Sequence, residues 1–319
     1  MVWEGEKMKK TLPKTKYTVK KLILGNKGKN GLFRMVPFYF MMICAGFIFL
    51  YPLLGALITS FLSPEDLVDP TVSWIPTQLY FGNYIQAYET LNFLKSFFHS
   101  LLMSVIPAVL QTAAAAVIGF GLARFHFPGK ALMVVLMIGT FFIPQQVTLI
   151  PRYLLFDNYE MLNTVWSVYL PAVTGQGINS AIFILVFMQF FRSYPLVLDE
   201  AAELDGANKW TVFFKIGLPM AKSAIVLSLL FSFVWYWNET LQSNLLFGGA
   251  YVTLPMMLQQ FTYRFEAMFG GDASGGAITV STAISMAGTL LSILPVLILY
   301  VFMQKQFVES IEKTGITGE

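Results

Sequence analysis

Charged residues are scarce in this sequence. Asp, Glu, Lys and Arg make up 12% of its 319 residues, whereas soluble domains carry about 25%. Hydrophobic residues account for 56%, and the mean hydropathy is +0.63. A soluble globular protein is therefore excluded. The net charge of +3 is small, so the positions of the charges carry more information than their sum.

Cysteine and histidine are also scarce. Cys44 is the single cysteine, which excludes a disulfide framework and a thiolate metal site. Neither His99 nor His126 has a second histidine four residues away or a nearby pair of carboxylates, so we expect no metal site. A Ser–His pair brought together by the fold stays open, but the sequence shows no catalytic cluster. We predict that the chain is not an enzyme and binds no cofactor.

The sequence has no loop that could cradle nucleotide phosphates. Its only Gly-Lys pairs, Gly28-Lys29 and Gly129-Lys130, lack the upstream glycine and the following hydroxyl of a Gly-x-x-x-x-Gly-Lys-Ser/Thr loop. The apolar segments also lack the ladder of charges that ion relays require. Glu239, beside Asn238, is the nearest candidate, and an interfacial carboxylate is the favoured interpretation. If the chain transports a solute, a partner protein must supply the energy.

Long apolar segments are abundant. Six of them approach or exceed the length of about 20 residues that a helix needs to cross a bilayer. They predict an all-α membrane protein with six transmembrane helices. Within the second, the run Ala113–Ala116 with Gly119 and Gly121 predicts a close helix–helix contact. The six segments are Val36–Phe61, Ser96–Ala123, Ala131–Ile150, Val165–Phe191, Ala221–Leu241 and Ala283–Met303.

Basic residues predict the orientation. Ten Lys or Arg fall in the first 34 residues, and 18 of the 21 in the chain lie in segments that the six helices place on one side. By the positive-inside rule, both termini are cytoplasmic. We predict a basic arm over residues 1–34, a six-helix membrane domain over 35–304 and a tail over 305–319. The arm is expected to contact anionic lipid rather than nucleic acid, and we expect no cleaved signal peptide.

One charged segment lies between two uncharged runs, 165–191 and 224–238. Its four acids would together cost on the order of 10 kcal/mol in lipid. We therefore predict that the loop 192–220 lies in water on the cytoplasmic side, where a short helix held between two spans could pass force to them. The four acids are Asp199, Glu200, Glu203 and Asp205.

The same loop has the pattern of a capped helix. Pro195 suits a first helical turn, and Gly206 can end the helix in the left-handed conformation. Ala201 and Ala202 leave a shallow surface that the backbone of another protein could approach. Pro219 is tolerated at the start of the following helix. This pattern fits both a docking element and an ordinary amphipathic surface helix.

The spacing resembles a known motif. The segment consists of Glu200-Ala201-Ala202, three further residues, Gly206, nine further residues and Ile216-x-Leu218-Pro219. This pattern resembles the EAA loop of the permease subunits of ABC importers. Other stretches resemble the sugar branch of that family, particularly the shorter permease of the maltose type, and the resemblance covers about residues 35–310. These stretches are Phe81–Tyr84, Ala123–Phe125, Phe127–Lys130, Ile143–Gln146 through Pro151, Asp205–Ala207, Trp237–Glu239 and Gln304–Val308.

The resemblance implies a type I ABC importer permease fold and a multi-pass location in a bacterial or archaeal cell membrane. It implies that the loop is a coupling helix in a cleft of an ATPase subunit. Glu200 would be the polar anchor, Ala201 and Ala202 the contact surface and Gly206 the turn. The remaining motif positions assigned to coupling are Asp205, Ile216, Leu218 and Pro219.

The resemblance also implies partners. They are a second, non-identical permease subunit, two ATP-binding subunits that hold ATP and magnesium, and an extracytoplasmic solute-binding protein. The C-terminal tail departs from the family pattern, since Glu309-Ser310 and Gly315–Gly318 keep its register without its glycine and lysine. Entry of the tail into the ATPase dimer is therefore only suggested.

The resemblance to the sugar branch implies that the cargo is a sugar or an oligosaccharide, and aromatic faces, amides and hydroxyls are the groups that bind sugars. Two other functions stay open. One is an ABC importer for another solute, such as a peptide, phosphate or polyamine. The other, from a different class, is a stand-alone channel or secondary transporter, for which the sequence shows no intramembrane charge or broken-helix ion site. The candidate pathway residues are Gln145, Gln146, Trp235, Tyr236, Trp237 and Asn238.

Overall fold

The computed structural model describes residues 25–26, 29–30, 32–72, 74–269 and 277–316. Most of the predicted basic arm and residues 317–319 of the predicted tail lie outside the described residues. The chain divides into two compact units, Met1–Thr59 and Ser60–Glu319. In the first, β1 (Gly25–Asn26) and β2 (Lys29–Asn30) form a short antiparallel pair.

Among the described residues, three helices are long and apolar enough to cross a membrane. They are α1 (Leu32–Ser60), α4 (Phe93–Arg124) and α16 (Ala277–Ile316), as numbered in chain order. Each contains one or two prolines, which membrane helices tolerate better than soluble ones. The first, second and sixth predicted spans fall within these helices to within one residue.

The third predicted span is wrong as a single helix. Its residues form α5 (Lys130–Phe141) and α6 (Gln145–Asn158), which are bent by 101°. Pro144 lies at the break with an extended ψ of 133°. A proline disfavours the helical conformation of the residue before it, so the helix cannot continue through Ile143. Helix α5 ends at Phe141, and α6 begins directly after Pro144.

The fourth predicted span is also divided. Its residues form α7 (Trp166–Val173) and α8 (Ser180–Ser193). Between them, Gly175 has φ +75° and Asn179 has φ +52°, left-handed conformations that a helix cannot contain. Beyond α8 the chain bends by 74° into α9 (Val197–Leu204).

The fifth predicted span corresponds to α12 (Lys222–Asn238), which ends three residues before the predicted limit. A short bent segment precedes it: α10 (Lys209–Val212), a π-helical turn (Phe213–Gly217) and α11 (Leu218–Met220). This segment meets α12 at 77°. The described chain therefore has three candidate spans, or up to six if each bent pair crosses the membrane once.

The described residues between α1 and α4 and between α12 and α16 contain five short helices. Ser63 caps the first of them, α2, by accepting the backbone N–H of Asp66, and the Asp66 carboxylate accepts the N–H of Ser63 in return. This capping box, with Pro64 in the first turn, is enough to start a helix of five residues. The five are α2 (Pro64–Val68), α3 (Gly82–Thr90), α13 (Leu241–Phe247), α14 (Leu254–Gln259) and α15 (Phe261–Phe269).

Helix α4 is the centre of the second unit and packs against both α8 and α12. A Cβ atom at Gly119 would lie 2.6 Å from the Cβ of Phe187 and 2.9 Å from the backbone nitrogen of Met188, so only glycine permits this approach of α4 to α8. Ala115 and Ala116 are buried on the same side. The predicted close contact is therefore confirmed at these three positions of α4.

Candidate functional site

Helix α9 has two turns, with acidic residues near its start and a glycine just beyond its end. Asp199 and Glu200 lie in its first turn. Their negative charges interact favourably there with the free backbone N–H groups at the start of the helix. Pro195 precedes the helix rather than forming part of its first turn, and its carbonyl accepts the N–H of Leu198 at 3.3 Å. The helix therefore begins at Val197, two residues later than the sequence predicted from Pro195.

Gly206 ends this helix, as predicted. It adopts φ +86°, and its N–H donates to the carbonyl of Glu203 at 3.0 Å. The N–H of Ala207 donates to the carbonyl of Ala202 at 2.9 Å. These two bonds form a Schellman motif, which satisfies two carbonyls at the end of the helix. No atom lies within 4 Å of a Cβ built at Gly206, so the backbone conformation, and not space, requires glycine.

Asp199 is buried, with 4% of its surface exposed. Its Oδ2 lies 2.9 Å from Nε of Arg124 in an ion pair, and the Tyr194 hydroxyl donates to Oδ1 at 2.9 Å. The prediction that all four acids of the loop face water is therefore wrong for Asp199. The buried charge is tolerated because a cation and a hydroxyl contact it directly.

Arg124 joins three elements. It is the last residue of α4, its Nη2 donates to the backbone carbonyl of Tyr194 at 3.1 Å, and its guanidinium carbon lies 3.9 Å from the centre of the Tyr194 ring. Together with Asp199, these contacts fix the start of α9 to the end of α4. This pairing could not be predicted from the sequence, because the two charges lie far apart in the chain.

The outer face of α9 is open. Glu200, Ala201 and Asp205 are exposed, and Ala202 is half-buried against the aromatic cluster around Phe120 and Phe213. Among the large apolar side chains of this segment, Leu204 of α9 is 90% exposed and Trp210 of α10 is 60% exposed. Neither residue was among the predicted site residues.

The segment after Gly206 leads back to α12. The Asn208 side chain caps α10 by accepting the N–H of Thr211 at 2.8 Å. In the π-helical turn and α11, Ile216 and Leu218 are half-buried, whereas Pro219 is exposed. Ile216 and Leu218 therefore contribute to packing, whereas Glu200, Ala201 and Asp205 are accessible at the surface. An exposed ion pair between Lys209 and Glu203 links the two helices.

The second group of predicted residues surrounds a polar network. The Gln242 amide donates to Oε1 of Gln145 at 3.0 Å, and Nη1 of Arg152 donates to Oε1 of Gln242 at 3.1 Å. The Gln145 amide donates to Oδ1 of Asn179 at 3.3 Å. The N–H of Gln242 donates to Glu239 at 2.7 Å. The network thus joins the start of α6 to the start of α8 and to the break after α12.

Two cavities border this network. The larger, of about 480 Å³, lies among α5, α6 and α8, and the smaller, of about 190 Å³, lies between α6 and the end of α12. Gln145 lines both of them, whereas Gln146 and Asn238 line the smaller. The structure therefore brings the three predicted amide residues together at one place.

The three predicted aromatic residues do not line either cavity. Tyr236 and Trp237 are buried, and the Tyr236 hydroxyl donates to Oε1 of Gln111 at 2.6 Å. Trp235 is half-buried, with its ring 5.1 Å from that of Phe183. Successive helical residues point about 100° apart, so a row of aromatics cannot face one cavity. Their predicted part in the pathway stays a prediction.

Comparisons with known proteins give the family. Residues 115–313 match the family described as "Binding-protein-dependent transport system inner membrane component". The polygalacturonan/rhamnogalacturonan transport system permease protein of Bacillus subtilis is 28% identical, over 91% of this chain and all of its own length. The osmoprotective compounds uptake permease protein of Synechocystis is 30% identical, over 72% of this chain and 78% of its own length.

A third relative and a solved structure are also similar to this chain. The diacetylchitobiose uptake system permease protein of Streptomyces coelicolor is 28% identical over 83% of each chain. A chain of a bacterial ABC transporter that imports the acidic polysaccharide alginate superposes with a TM-score of 0.70. That alignment covers 86% of this chain and 96% of the other at 21% identity, so it shows the ABC importer permease fold. The chain belongs to the family of binding-protein-dependent transport system inner membrane components.

Proposed function

We propose that this chain is the membrane-spanning permease subunit of an ATP-driven importer for a sugar or an oligosaccharide. The observation that carries the proposal is α9, an exposed helix fixed to the end of a long apolar helix by a buried ion pair. A helix anchored in this way can receive a force at its outer face and pass it to α4. The family match supports the same assignment.

The ATPase contact would be the exposed face of α9. Glu200 would anchor a polar group of the ATP-binding subunit, and Ala201 would permit close approach of its backbone. Leu204 would fill an apolar pocket of that subunit, because a leucine that is 90% exposed gains most from burial there. ATP and magnesium would be held by the partner, and this chain would transmit the closure of the ATPase dimer.

The complete importer would hold two ATP-binding subunits, a second and non-identical permease, and an extracytoplasmic binding protein. Both termini would be cytoplasmic, since this orientation places α9 on the side where ATP is found. The distribution of basic residues supports it. The membrane would be that of a bacterium or an archaeon.

The proposal of a sugar as cargo draws on the relatives and on the amide-lined cavities. Two relatives are named for the transport of polygalacturonan/rhamnogalacturonan and of diacetylchitobiose, which are carbohydrates. One relative is named for osmoprotective compounds, which keeps an importer of another small solute as the second candidate. Uptake assays with sugars and with other solutes in parallel would separate the two.

Co-isolation tests the coupling part of the proposal. We expect the detergent-solubilised chain to retain an ATP-binding subunit encoded with it, and Leu204→Glu or Glu200→Lys to weaken that retention. Leu245→Glu, at a leucine of α13 that is 38% exposed, is the matched control and should leave it unchanged. The proposal fails if the wild-type chain never co-isolates with a nucleotide-binding protein.

A further inference from the structure

Arg152 is a cation without a carboxylate partner in the described part of the chain. It lies in α6, is half-buried and lines the 480 Å³ cavity. The one hydrogen bond from its guanidinium to the described residues goes to the neutral amide of Gln242. A guanidinium carries five N–H donors, so most of them are free for a ligand. Ionisable groups facing a cavity between membrane helices mark a functional site by default.

Glu239 is the acidic group nearest in the network, and it does not neutralise Arg152. Its carboxylate accepts the backbone N–H of Gln242 at 2.7 Å. No ion pair joins it to Arg152 within 4 Å, although both border a small adjoining cavity. The larger cavity therefore has a positive wall.

The remaining wall of the cavity suits a hydroxylated ligand. Ser180 is 4% exposed, and its hydroxyl has no hydrogen-bond partner among the described residues. Asn179 and Gln145 present amides to the same space. The volume of about 480 Å³ falls within the range of roughly 300–1,000 Å³ that is usual for small-molecule sites. A free buried hydroxyl is costly unless a ligand pairs with it.

We infer that this cavity binds an acidic oligosaccharide, with the Arg152 guanidinium holding one uronate carboxylate and Ser180, Asn179 and Gln145 contacting sugar hydroxyls. An arginine fork matches a carboxylate with two parallel hydrogen bonds. A neutral sugar leaves the charge unpaired. The inference rests on the proposed import of a sugar and narrows it to sugars that carry a carboxylate.

ATP-driven uptake into proteoliposomes tests this inference, with the complete importer and its own binding protein. The probes are trimers of galacturonate, glucuronate and mannuronate, each beside its methyl ester, which keeps the sugar and removes the charge. We expect the wild type to prefer at least one uronate trimer over its ester. Arg152→Gln should lower the acid-to-ester ratio roughly tenfold or more, as expected for the loss of a charge-assisted hydrogen bond.

Two further variants test the geometry of the guanidinium and the specificity of the effect. Arg152→Lys keeps the charge without the fork and should give an intermediate ratio. Arg192→Gln removes an exposed arginine at the end of α8, outside the cavity, and should leave the ratio unchanged.

The possible failures are distinguishable. Import of neutral trimers without any uronate trimer would overturn the inference and leave the proposed function standing. Import of none of the six trimers would also overturn the inference, whereas the proposed function would fail only if the parallel uptake assays showed no transport of any sugar. An unchanged ratio in Arg152→Gln, or equal loss of acid and ester uptake, would give Arg152 a structural role and overturn its role in specificity.

Discussion

At the scale of single residues, the pairing of Asp199 with Arg124 is the contact on which the position of α9 depends. Both side chains are less than a tenth exposed. Removal of one member of a buried pair leaves an uncompensated charge, which typically costs about 3–5 kcal/mol. Removal of both members costs far less, because no charge remains buried.

We therefore expect Asp199→Leu and Arg124→Leu each to lower the melting temperature of the purified protein strongly. The double variant should melt above both single variants. Lys209→Ala provides the control, since its ion pair with Glu203 is exposed and such pairs contribute about 0–1 kcal/mol. Strictly additive effects of the two leucine substitutions would contradict the coupling between these residues.

Asp66 gives a prediction about pH. A hydrogen bond from the Thr77 hydroxyl holds the pKa of the Asp66 carboxyl below its ordinary value, with smaller contributions from Ser63 and from the Thr77 N–H, while burial opposes the shift. A lowered pKa in the folded state means that the ionised carboxylate stabilises the fold. This contribution is complete above the ordinary pKa of about 3.9 and is lost as the pH falls through the lowered value.

We expect Asp66→Asn to melt at a lower temperature than the wild type at pH 7. The difference should shrink as the pH falls below about 4, because the wild-type carboxyl then becomes neutral as well. Glu65→Gln, at the exposed neighbouring acid, is the control. If the difference in melting temperature between the wild type and Asp66→Asn grew as the pH fell, the predicted direction of the pH dependence would be wrong.

At the scale of elements, the end of α9 determines how the chain turns towards α10. Gly206 needs φ +86° and an N–H that donates to Glu203. Proline can provide neither, because its φ is fixed near −65° and it has no N–H. Asparagine tolerates the left-handed region better than most residues.

Gly206→Pro should therefore insert into the membrane normally and yet abolish uptake, whereas Gly206→Asn should keep much of the wild-type uptake. Membrane fractionation and transport assays on the same cells would measure both. Normal transport by Gly206→Pro would contradict a mechanical role for this turn.

The contact between α4 and α8 gives a second prediction for an element. A side chain at Gly119 would meet the backbone of α8, whereas the nearest atom to a Cβ at Gly121 lies 3.8 Å away. Gly119→Ala should lower the melting temperature, in line with a cost of about 1–3 kcal/mol for overpacking. Gly121→Ala should leave it unchanged or raise it, since alanine favours helix. Equal melting of the two variants would contradict the close approach.

At the scale of the whole molecule, the proposed topology is open to a direct test. A green fluorescent protein fused after Glu319 should fluoresce, because this reporter folds in the cytoplasm. The same reporter inserted between Tyr159 and Glu160, on the opposite side in the predicted topology, should remain dark. A fluorescent insertion at 159–160 would reverse the proposed orientation.

Local signals in the sequence predicted part of this architecture well. Gly206 and the contact of Ala115, Ala116 and Gly119 depend on backbone conformation and side-chain size, which are properties of the residues themselves. The break at Pro144 was visible in the sequence, but the apolar run on both sides of it favoured one helix. Composition shows how long an apolar run is, but it does not show whether the run forms one straight helix.

Long-range contacts were beyond such reasoning. The burial of Asp199 depends on Arg124 at the end of another helix, and the burial of Tyr236 depends on Gln111. The sequence predicted that Asp199 faces water and that Tyr236 lines the pathway, because the partner of each residue lies far away in the chain. The cavity beside Arg152 was missed for the same reason, since its wall is assembled from α5, α6 and α8.

The ion pair at the base of α9 also bears on protein engineering. Chimeric importers could be built by exchanging short loops, on the assumption that a coupling loop is a module. Here that module would have to include the end of α4, because α9 transplanted without Arg124 would carry a buried carboxylate into a host with no cation to meet it. The smallest exchangeable piece of this permease is therefore discontinuous in sequence: a two-turn helix together with one arginine from another helix.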